Sequence, residues 1–148
     1  MLQNLIVGLS TMVACLFLQA LLIVAAVRYY TRSDGRIRAS FRASLAVISG
    51  VMLLLVVGNL AQVAIWALLF RVLGEFSEFG AAFYHSAVNF STLGYGDVVM
   101  SAEHRLLGPL EAINGALMIG VTSAALITAF QDVKESTDET RGGLDTRT

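Results

Sequence analysis

The chain has few charged residues, one cysteine and one proline. Only 14% of its 148 residues are charged whereas 56% are hydrophobic, and soluble domains are nearer a quarter charged. This balance predicts an integral membrane protein. The net charge of −1 provides no overall basicity, so nucleic acid is not an expected partner. A single cysteine, Cys15, excludes a disulfide within the chain, and the scarcity of proline suits helices in lipid.

Three long apolar runs predict three transmembrane helices. The first lies within residues 1–30 and is long enough to cross the roughly 30 Å hydrocarbon layer of a bilayer. A cleaved signal peptide is the competing interpretation, but no Lys or Arg precedes the run and the run is too long. The second helix is predicted at residues 43–70 and the third at residues 105–130. Residues 132–148 are polar without apolar periodicity and predict a flexible cytoplasmic tail.

A basic loop at residues 31–42 determines the predicted topology. Short loops rich in arginine stay in the cytoplasm, so we expect a multi-pass protein of the cell membrane with its N-terminus outside and its C-terminus in the cytoplasm. These arginines either determine topology alone or also contact anionic lipid headgroups of the bilayer. The candidates for lipid contact are Arg32, Arg36, Arg38 and Arg42.

Between the second and third runs lies a mostly acidic segment that contains a short apolar stretch. Residues 79–91 are too few to cross a bilayer and predict a re-entrant helix. Residues 92–97 follow directly and read Thr-Leu-Gly-Tyr-Gly-Asp. A run of backbone carbonyls in such a segment can replace the water shell of a potassium ion. Stacked carbonyl rings need alternate residues in left-handed conformations, which Gly94 and Gly96 tolerate.

This hexapeptide and its context resemble the two-helix pore module of the potassium channel superfamily. The resemblance covers about residues 43–131, with one additional transmembrane helix in front, and the hexapeptide (the filter segment) is its specific part. It implies an all-α membrane protein with three transmembrane helices, a re-entrant pore helix and a filter loop, arranged as a fourfold homotetramer. The residues agree with this, because one loop cannot encircle an ion whereas four identical loops can.

The resemblance also implies roles for individual residues of the filter segment and its support. The carbonyls that bind potassium ions would belong to Thr92, Leu93, Gly94 and Tyr95, with Gly96 next in the segment. Asp97 would lie just outside the filter, within reach of Tyr84, while His85 would reach the hydroxyl of Tyr95. Because His85 stands where many members have tryptophan, it predicts either proton-sensitive filter stability or a plain hydrogen-bond donor.

Glu111 is unusual because a carboxyl group within a membrane span is by default a functional hypothesis. It lies about 9 Å along the helix from Arg105, at 1.5 Å per residue, about level with the filter segment. We expect it to support the filter through a pore-helix group such as Ser86, Asn89 or His85. The alternative places it in water at the outer vestibule.

Two glycines of the third helix, Gly115 and Gly120, are candidates for a gating hinge. Counted from Arg105, Gly115 falls where family members bend to open the inner gate, whereas the sequence from Gly120 onward resembles the surroundings of that hinge. A glycine in a membrane helix serves close packing equally often, so the sequence leaves both interpretations open.

We therefore expect a potassium-selective channel that conducts passively, needs no cofactor and is not an enzyme. The sequence shows no nucleophile–base pair, metal-ligand cluster or phosphate-binding loop. The alternatives are a weakly selective cation channel, a potassium permease and a non-conducting membrane subunit. Permeases normally carry four repeats with degenerate filters, so a single repeat with an intact Gly94-Tyr95-Gly96 argues against a permease. The intact Tyr95 weighs against a weakly selective channel, and a non-conducting subunit would have little reason to keep the complete filter. The sequence favours no particular gating stimulus.

Overall fold

The computed structural model describes residues 1–33 and 41–145, with side chains described as far as residue 131 except at positions 41 and 129. This part of the chain forms four helices and no strand: α1 (Leu2–Arg32), α2 (Phe41–Val72), α3 (Phe79–Phe90) and α4 (Leu107–Asp145). Three stretches are long and apolar enough to cross a membrane, namely Leu2–Arg32, Arg42–Val72 and Leu107–Thr128. The protein is thus an all-α, multi-pass membrane protein, as its composition predicts.

The first two helices extend further than the apolar runs that predict them. α1 ends at Arg32 and α2 begins at Phe41, so the predicted basic loop is shorter than residues 31–42. Arg32 and Arg42 are exposed on the ends of these helices. Arg36 and Arg38 lie outside the described residues.

α4 also continues past its predicted end. It runs to Asp145, whereas the sequence predicts an end at residue 130. Residues 132–141 contain neither glycine nor proline, and helix formers such as Lys134 and Glu135 favour continuation. The sequence predicts no helix here because these residues lack apolar periodicity. A helix needs that periodicity only where one of its faces packs against a partner.

The chain divides into two compact units, residues 1–20 with 57–120 and residues 21–56 with 121–148. In the first unit, α1 and α2 pack antiparallel. Gln62 Nε2 donates a hydrogen bond to Gln19 Oε1 at 2.8 Å, and Cys15 lies beside Trp66. The two contacts are four residues apart on each helix in opposite chain directions, as antiparallel neighbours require.

The core of the first unit determines the position of α3. Large side chains from all four helices are buried together there: Cys15, Val63, Trp66, Phe70, Phe90, Leu107 and Met118. One face of α3 is buried, comprising Ala82, His85, Ser86 and Phe90. Lipid tails are as apolar as these side chains, so close packing and buried hydrogen bonds hold such helices together. The buried face of α3 supplies both.

The second unit has a smaller apolar core. Ala26, Val51 and Leu55 are buried there. A Cβ atom added at Gly50 would lie 3.1 Å from the ring of Tyr29, so a glycine at this position allows the aromatic ring to lie close to α2. This unit therefore depends on small residues at its helix contacts, a common device in membranes.

Candidate functional site

α3 ends directly before the filter segment and is joined to it by backbone hydrogen bonds. The helix has 12 residues, about 18 Å at 1.5 Å per residue, so it is too short to cross a bilayer. At its end, the Thr92 amide donates to the Asn89 carbonyl at 2.8 Å. The amides of Leu93 and Gly94 both donate to the Val88 carbonyl, at 3.0 and 3.3 Å. These bonds satisfy the last carbonyls of α3 and fix the start of the filter segment.

The backbone of the filter segment alternates in handedness. Thr92, Gly94 and Gly96 have φ angles of 60°, 58° and 72°, whereas the residues between them do not have positive φ. The predicted left-handed conformations at Gly94 and Gly96 are confirmed. Thr92 was not predicted to share them, and a non-glycine residue in this region costs about 1–2 kcal/mol. Left-handed backbone at alternate positions is the pattern that stacked carbonyl rings require.

Asp97 and Tyr84 form the predicted contact at the end of the filter segment. Tyr84 Oη donates to Asp97 Oδ2 at 2.6 Å, and the Val98 amide donates to Asp97 Oδ1 at 3.0 Å. The hydrogen bond from Tyr84 is the main cause that lowers the pKa of Asp97 below its ordinary value. Asp97 is therefore ionised at neutral pH and acts as an acceptor that ties the loop to α3.

His85 is buried, and both of its ring nitrogens have partners other than Tyr95. Nδ1 lies 2.8 Å from the Val98 carbonyl, and Nε2 lies 2.9 Å from Asn89 Nδ2. The ring also packs against the aromatic rings of Phe70 and Phe76, with centroids 5.5 and 5.1 Å away. In this chain His85 thus holds the residue after Asp97 in place, and the expected reach to the Tyr95 hydroxyl is replaced by the bond to Val98.

Glu111 is fully buried and contacts α3, in one of the ways that the sequence predicts. Its Oε1 atom is hydrogen-bonded to Ser86 Oγ, and the amide of Asn89 lies beside the same carboxyl group. Ser86 Oγ also lies 2.8 Å from the carbonyl of Val63 on α2. The alternative of a carboxylate facing water is inconsistent with 0% exposure. Ser86 therefore joins α3 to both flanking helices.

The structure distinguishes the two candidate hinge glycines. A Cβ atom at Gly115 would lie 1.9 Å from the carbonyl oxygen of Phe90, so the backbone of α4 contacts the end of α3 closely. A Cβ atom at Gly120 would meet nothing within 4 Å. Close packing accounts for the glycine at position 115, whereas no described residue lies close enough to account for the one at position 120.

A buried acidic clamp at Glu75 was missed by the sequence analysis. Glu75 Oε2 accepts from the Ser101 amide at 2.7 Å and Oε1 from the Ser101 hydroxyl at 2.6 Å. His104 Nδ1 also contacts Oε1, and the Glu75 side chain is only 7% exposed. Burial raises the pKa of Glu75, but the hydrogen bonds from Ser101 and His104 outweigh it, and the pKa is lowered. The clamp joins the segment before α3 to the segment after the filter. Its two main residues are 26 positions apart, so no local sequence pattern predicts their contact.

Substitution of Glu75 by glutamine should loosen this clamp. Because glutamine replaces a charged acceptor by a weaker, neutral one, we expect a loss of about 1–2 kcal/mol of stability at neutral pH. A carboxyl group whose pKa is lower in the folded state stabilises above its unfolded pKa, and this stability is lost as pH falls through the folded pKa. The difference between wild type and variant, measured by thermal unfolding, should therefore shrink on acidification.

Glu78→Gln is the matched control for the clamp. Glu78 precedes α3 and forms no side-chain capping hydrogen bond, so its neutralisation removes the same charge from the same loop. We expect little change in stability. Equal losses in both variants, or a difference that grows at acid pH, would contradict the role of Glu75.

Comparison with known proteins gives one match. A protein-family model described as "Ion channel" matches residues 53–132, more than half of the chain. The matched range begins within α2, includes α3 and the filter segment, and ends within α4, so α1 lies outside it. No curated protein and no solved structure matches the chain.

Proposed function

Because the chain belongs to the ion channel family, we propose that four copies of it form a potassium-selective pore through which ions flow passively. The observation that carries this proposal is the positive φ at Thr92, Gly94 and Gly96. It occurs in the one segment whose sequence offers Thr-Leu-Gly-Tyr-Gly-Asp, between a short helix and an apolar membrane helix. A turn would need one or two residues with positive φ. A row of stacked carbonyl sites needs positive φ at every second residue, as seen here.

The exposure of the filter segment supports an assembly of several chains. Every residue from 91 to 97 is exposed in the single chain, and Leu93 and Tyr95 are 55% and 66% exposed. Irregular backbone between membrane helices is tolerated only where protein or water covers it. Four copies around an axis would cover the outer side of each loop with protein and leave its inner side to ions and water. The carbonyls of Thr92 to Tyr95 would then form the rings.

The surrounding contacts give each supporting residue a physical task. Tyr84 and His85 hold the residues that follow the filter at Asp97 and Val98. Glu111 fixes α3 against α4 through Ser86. We assign the hinge of α4 to Gly120, because a Cβ atom added at this position would meet none of the described residues within 4 Å.

The proposed orientation places the basic loop in the cytoplasm and the filter on the outer side of the cell membrane. Arg32 and Arg42, on the ends of α1 and α2, are exposed and are offered as contacts for anionic lipid headgroups, together with Arg36 and Arg38. Under this topology the acidic residues near the filter face the outside, where negative charge concentrates cations before entry.

The test of the proposed function is ion flux into liposomes that contain the purified protein. We expect flux that barium blocks and that strongly prefers potassium over sodium. The rings of carbonyl oxygens would replace the hydration shell of the potassium ion, which is larger than sodium. Comparable sodium flux would overturn the proposed selectivity and indicate a weakly selective cation channel. If a tetrameric preparation shows no flux under an applied membrane potential, at acidic pH or with anionic lipids, the chain would be a non-conducting subunit.

A further inference from the structure

The Ser86 hydroxyl has one hydrogen but two close oxygen neighbours. Ser86 Oγ lies 2.8 Å from the Val63 carbonyl oxygen and is in hydrogen-bond contact with Glu111 Oε1. A carbonyl can only accept a hydrogen bond, so the hydrogen between Ser86 and Val63 must come from Ser86. The contact between Ser86 and Glu111 then needs a hydrogen from Glu111. An ionised carboxylate has none, and would leave one of the two close contacts as a repulsion between lone pairs.

We propose that Glu111 is a neutral carboxylic acid in the native channel and donates a hydrogen bond to Ser86. This assignment deepens the proposed function, and its consequence for the filter rests on that function. Glu111 is then a positioning residue. Its hydroxyl hydrogen bonds Ser86, which in turn donates to Val63, so that α2, α3 and α4 are joined through a single uncharged chain of hydrogen bonds.

Among the side chains that the structure describes, no cation neighbours Glu111 on the helices packed against it. Cys15 approaches from α1, Ser86 and Asn89 from α3, and Asn114 lies one turn further along α4 itself. Trp66 of α2 borders the same space beside Cys15. None of these groups is a cation at neutral pH. Burial of an unpaired carboxylate costs several kcal/mol, which protonation avoids.

The second oxygen of Glu111 points to the same assignment. Oε2 is buried and has no hydrogen-bond partner. An ionised carboxylate spreads its charge over both oxygens and needs donors at each, so an unserved oxygen is costly. In the neutral acid the charge is absent, and the unserved carbonyl oxygen carries only the smaller penalty of a neutral acceptor.

Polar contacts also extend from Glu111 towards the filter, through Asn89 and His85. The Val98 carbonyl accepts from His85 Nδ1, so this nitrogen carries a hydrogen. His85 Nε2 faces Asn89 Nδ2 at 2.9 Å. The amide of Asn89 also lies beside the carboxyl group of Glu111, without a hydrogen bond to Oε2. A series of neighbouring polar groups therefore runs from the Val98 carbonyl, through His85 and Asn89, to Glu111, Ser86 and the Val63 carbonyl.

Infrared difference spectroscopy of the full-length protein in lipid vesicles at neutral pH tests the assignment. The wild-type spectrum minus that of Glu111→Gln should contain the carbonyl stretch of one protonated carboxyl group, with a downward shift in deuterium oxide. Glu103→Gln is the matched control, because Glu103 is exposed and should lose only carboxylate bands. Loss of carboxylate bands in Glu111→Gln as well would overturn the proposal.

Ser86→Ala provides a second test that keeps Glu111 in place and does not depend on folding of the glutamine variant. Removal of the acceptor should keep the protonated band but shift it to higher frequency, because the acid loses its hydrogen bond. A wild-type spectrum without this band overturns the assignment. Potassium flux is scored separately, so a protein with the band but without flux would refute the channel function and leave the protonation state established.

Discussion

Substitution of Gly94 by alanine is expected to abolish potassium flux and leave the chain folded. Gly94 has φ 58°, and a Cβ atom added there would meet nothing within 4 Å. The effect of the methyl group is therefore confined to the backbone. A non-glycine residue in the left-handed region costs about 1–2 kcal/mol. If the peptide rotates to relieve this strain, one of the proposed ion-binding carbonyls turns away from its position.

In the proposed fourfold assembly, this effect would be multiplied. Strain of about 1–2 kcal/mol in each of four subunits corresponds to a fall in conductance of about 10³-fold or more if all four loops must adopt the conducting backbone together. Flux into liposomes measures the loss, and size-exclusion chromatography of the same preparation verifies the tetramer. Wild-type flux from the variant would refute the proposed role of the alternating backbone.

Gly74 provides a closely matched control for Gly94. It has φ 78°, and its added Cβ would also meet nothing within 4 Å, but it lies in the turn after α2 and outside the filter segment. Gly74→Ala should therefore suffer the same backbone strain, with a small loss of stability and unchanged flux. Gly80→Ala has open space and no positive φ, so it should change neither. If Gly74→Ala also abolished flux, the loss in Gly94→Ala would reflect general destabilisation.

The features that the sequence predicts best are those that depend on local chain physics. Helices that must satisfy every backbone hydrogen bond in lipid produce long apolar runs, so α1, α2 and the apolar part of α4 were predictable. The alternating φ at Gly94 and Gly96 was predictable because a stack of carbonyls leaves few residue types at those positions. Each inference uses neighbours within a few positions along the chain.

Contacts between distant residues were less predictable, for a physical reason. Periodicity indicates which face of α3 is buried, but not which partner a residue on that face meets. Thus Tyr84 was matched correctly to Asp97, whereas His85 bonds Val98 and Asn89. The clamp at Glu75 needs loops before and after the filter to meet, which only the packed core determines.

Substitution of Gly115 by alanine is expected to destabilise the first unit more than any other single methyl group considered. The added Cβ would lie 1.9 Å from the Phe90 carbonyl oxygen and 2.6 Å from its carbonyl carbon. Both atoms belong to the backbone at the end of α3, so no side-chain rotation can relieve the overlap. Overpacking of this kind costs about 1–3 kcal/mol and occasionally more, and we expect about 3 kcal/mol here, measured by thermal unfolding in detergent.

The same substitution should also impair conduction, because relief of the overlap must move either α4 or the end of α3. The filter segment begins at the residue after Ser91, where the Thr92 amide bonds the Asn89 carbonyl. A shift of the α3 terminus by a few tenths of an ångström would therefore displace Thr92, the first residue of the filter segment. Loss of flux should accompany this large loss of stability, in contrast to Gly94→Ala, where the loss of stability should be small.

Gly120→Ala separates packing from hinge motion on the same helix. With nothing within 4 Å of its added Cβ, this variant should be as stable as wild type or gain up to about 1 kcal/mol, because alanine favours a helix over glycine. If Gly120 is the hinge, the stiffer helix should lower the open fraction of the channel while potassium selectivity is unchanged. A stable Gly115→Ala protein with an altered open fraction, beside a Gly120→Ala protein that gates normally, would reverse the assignment and make Gly115 the hinge.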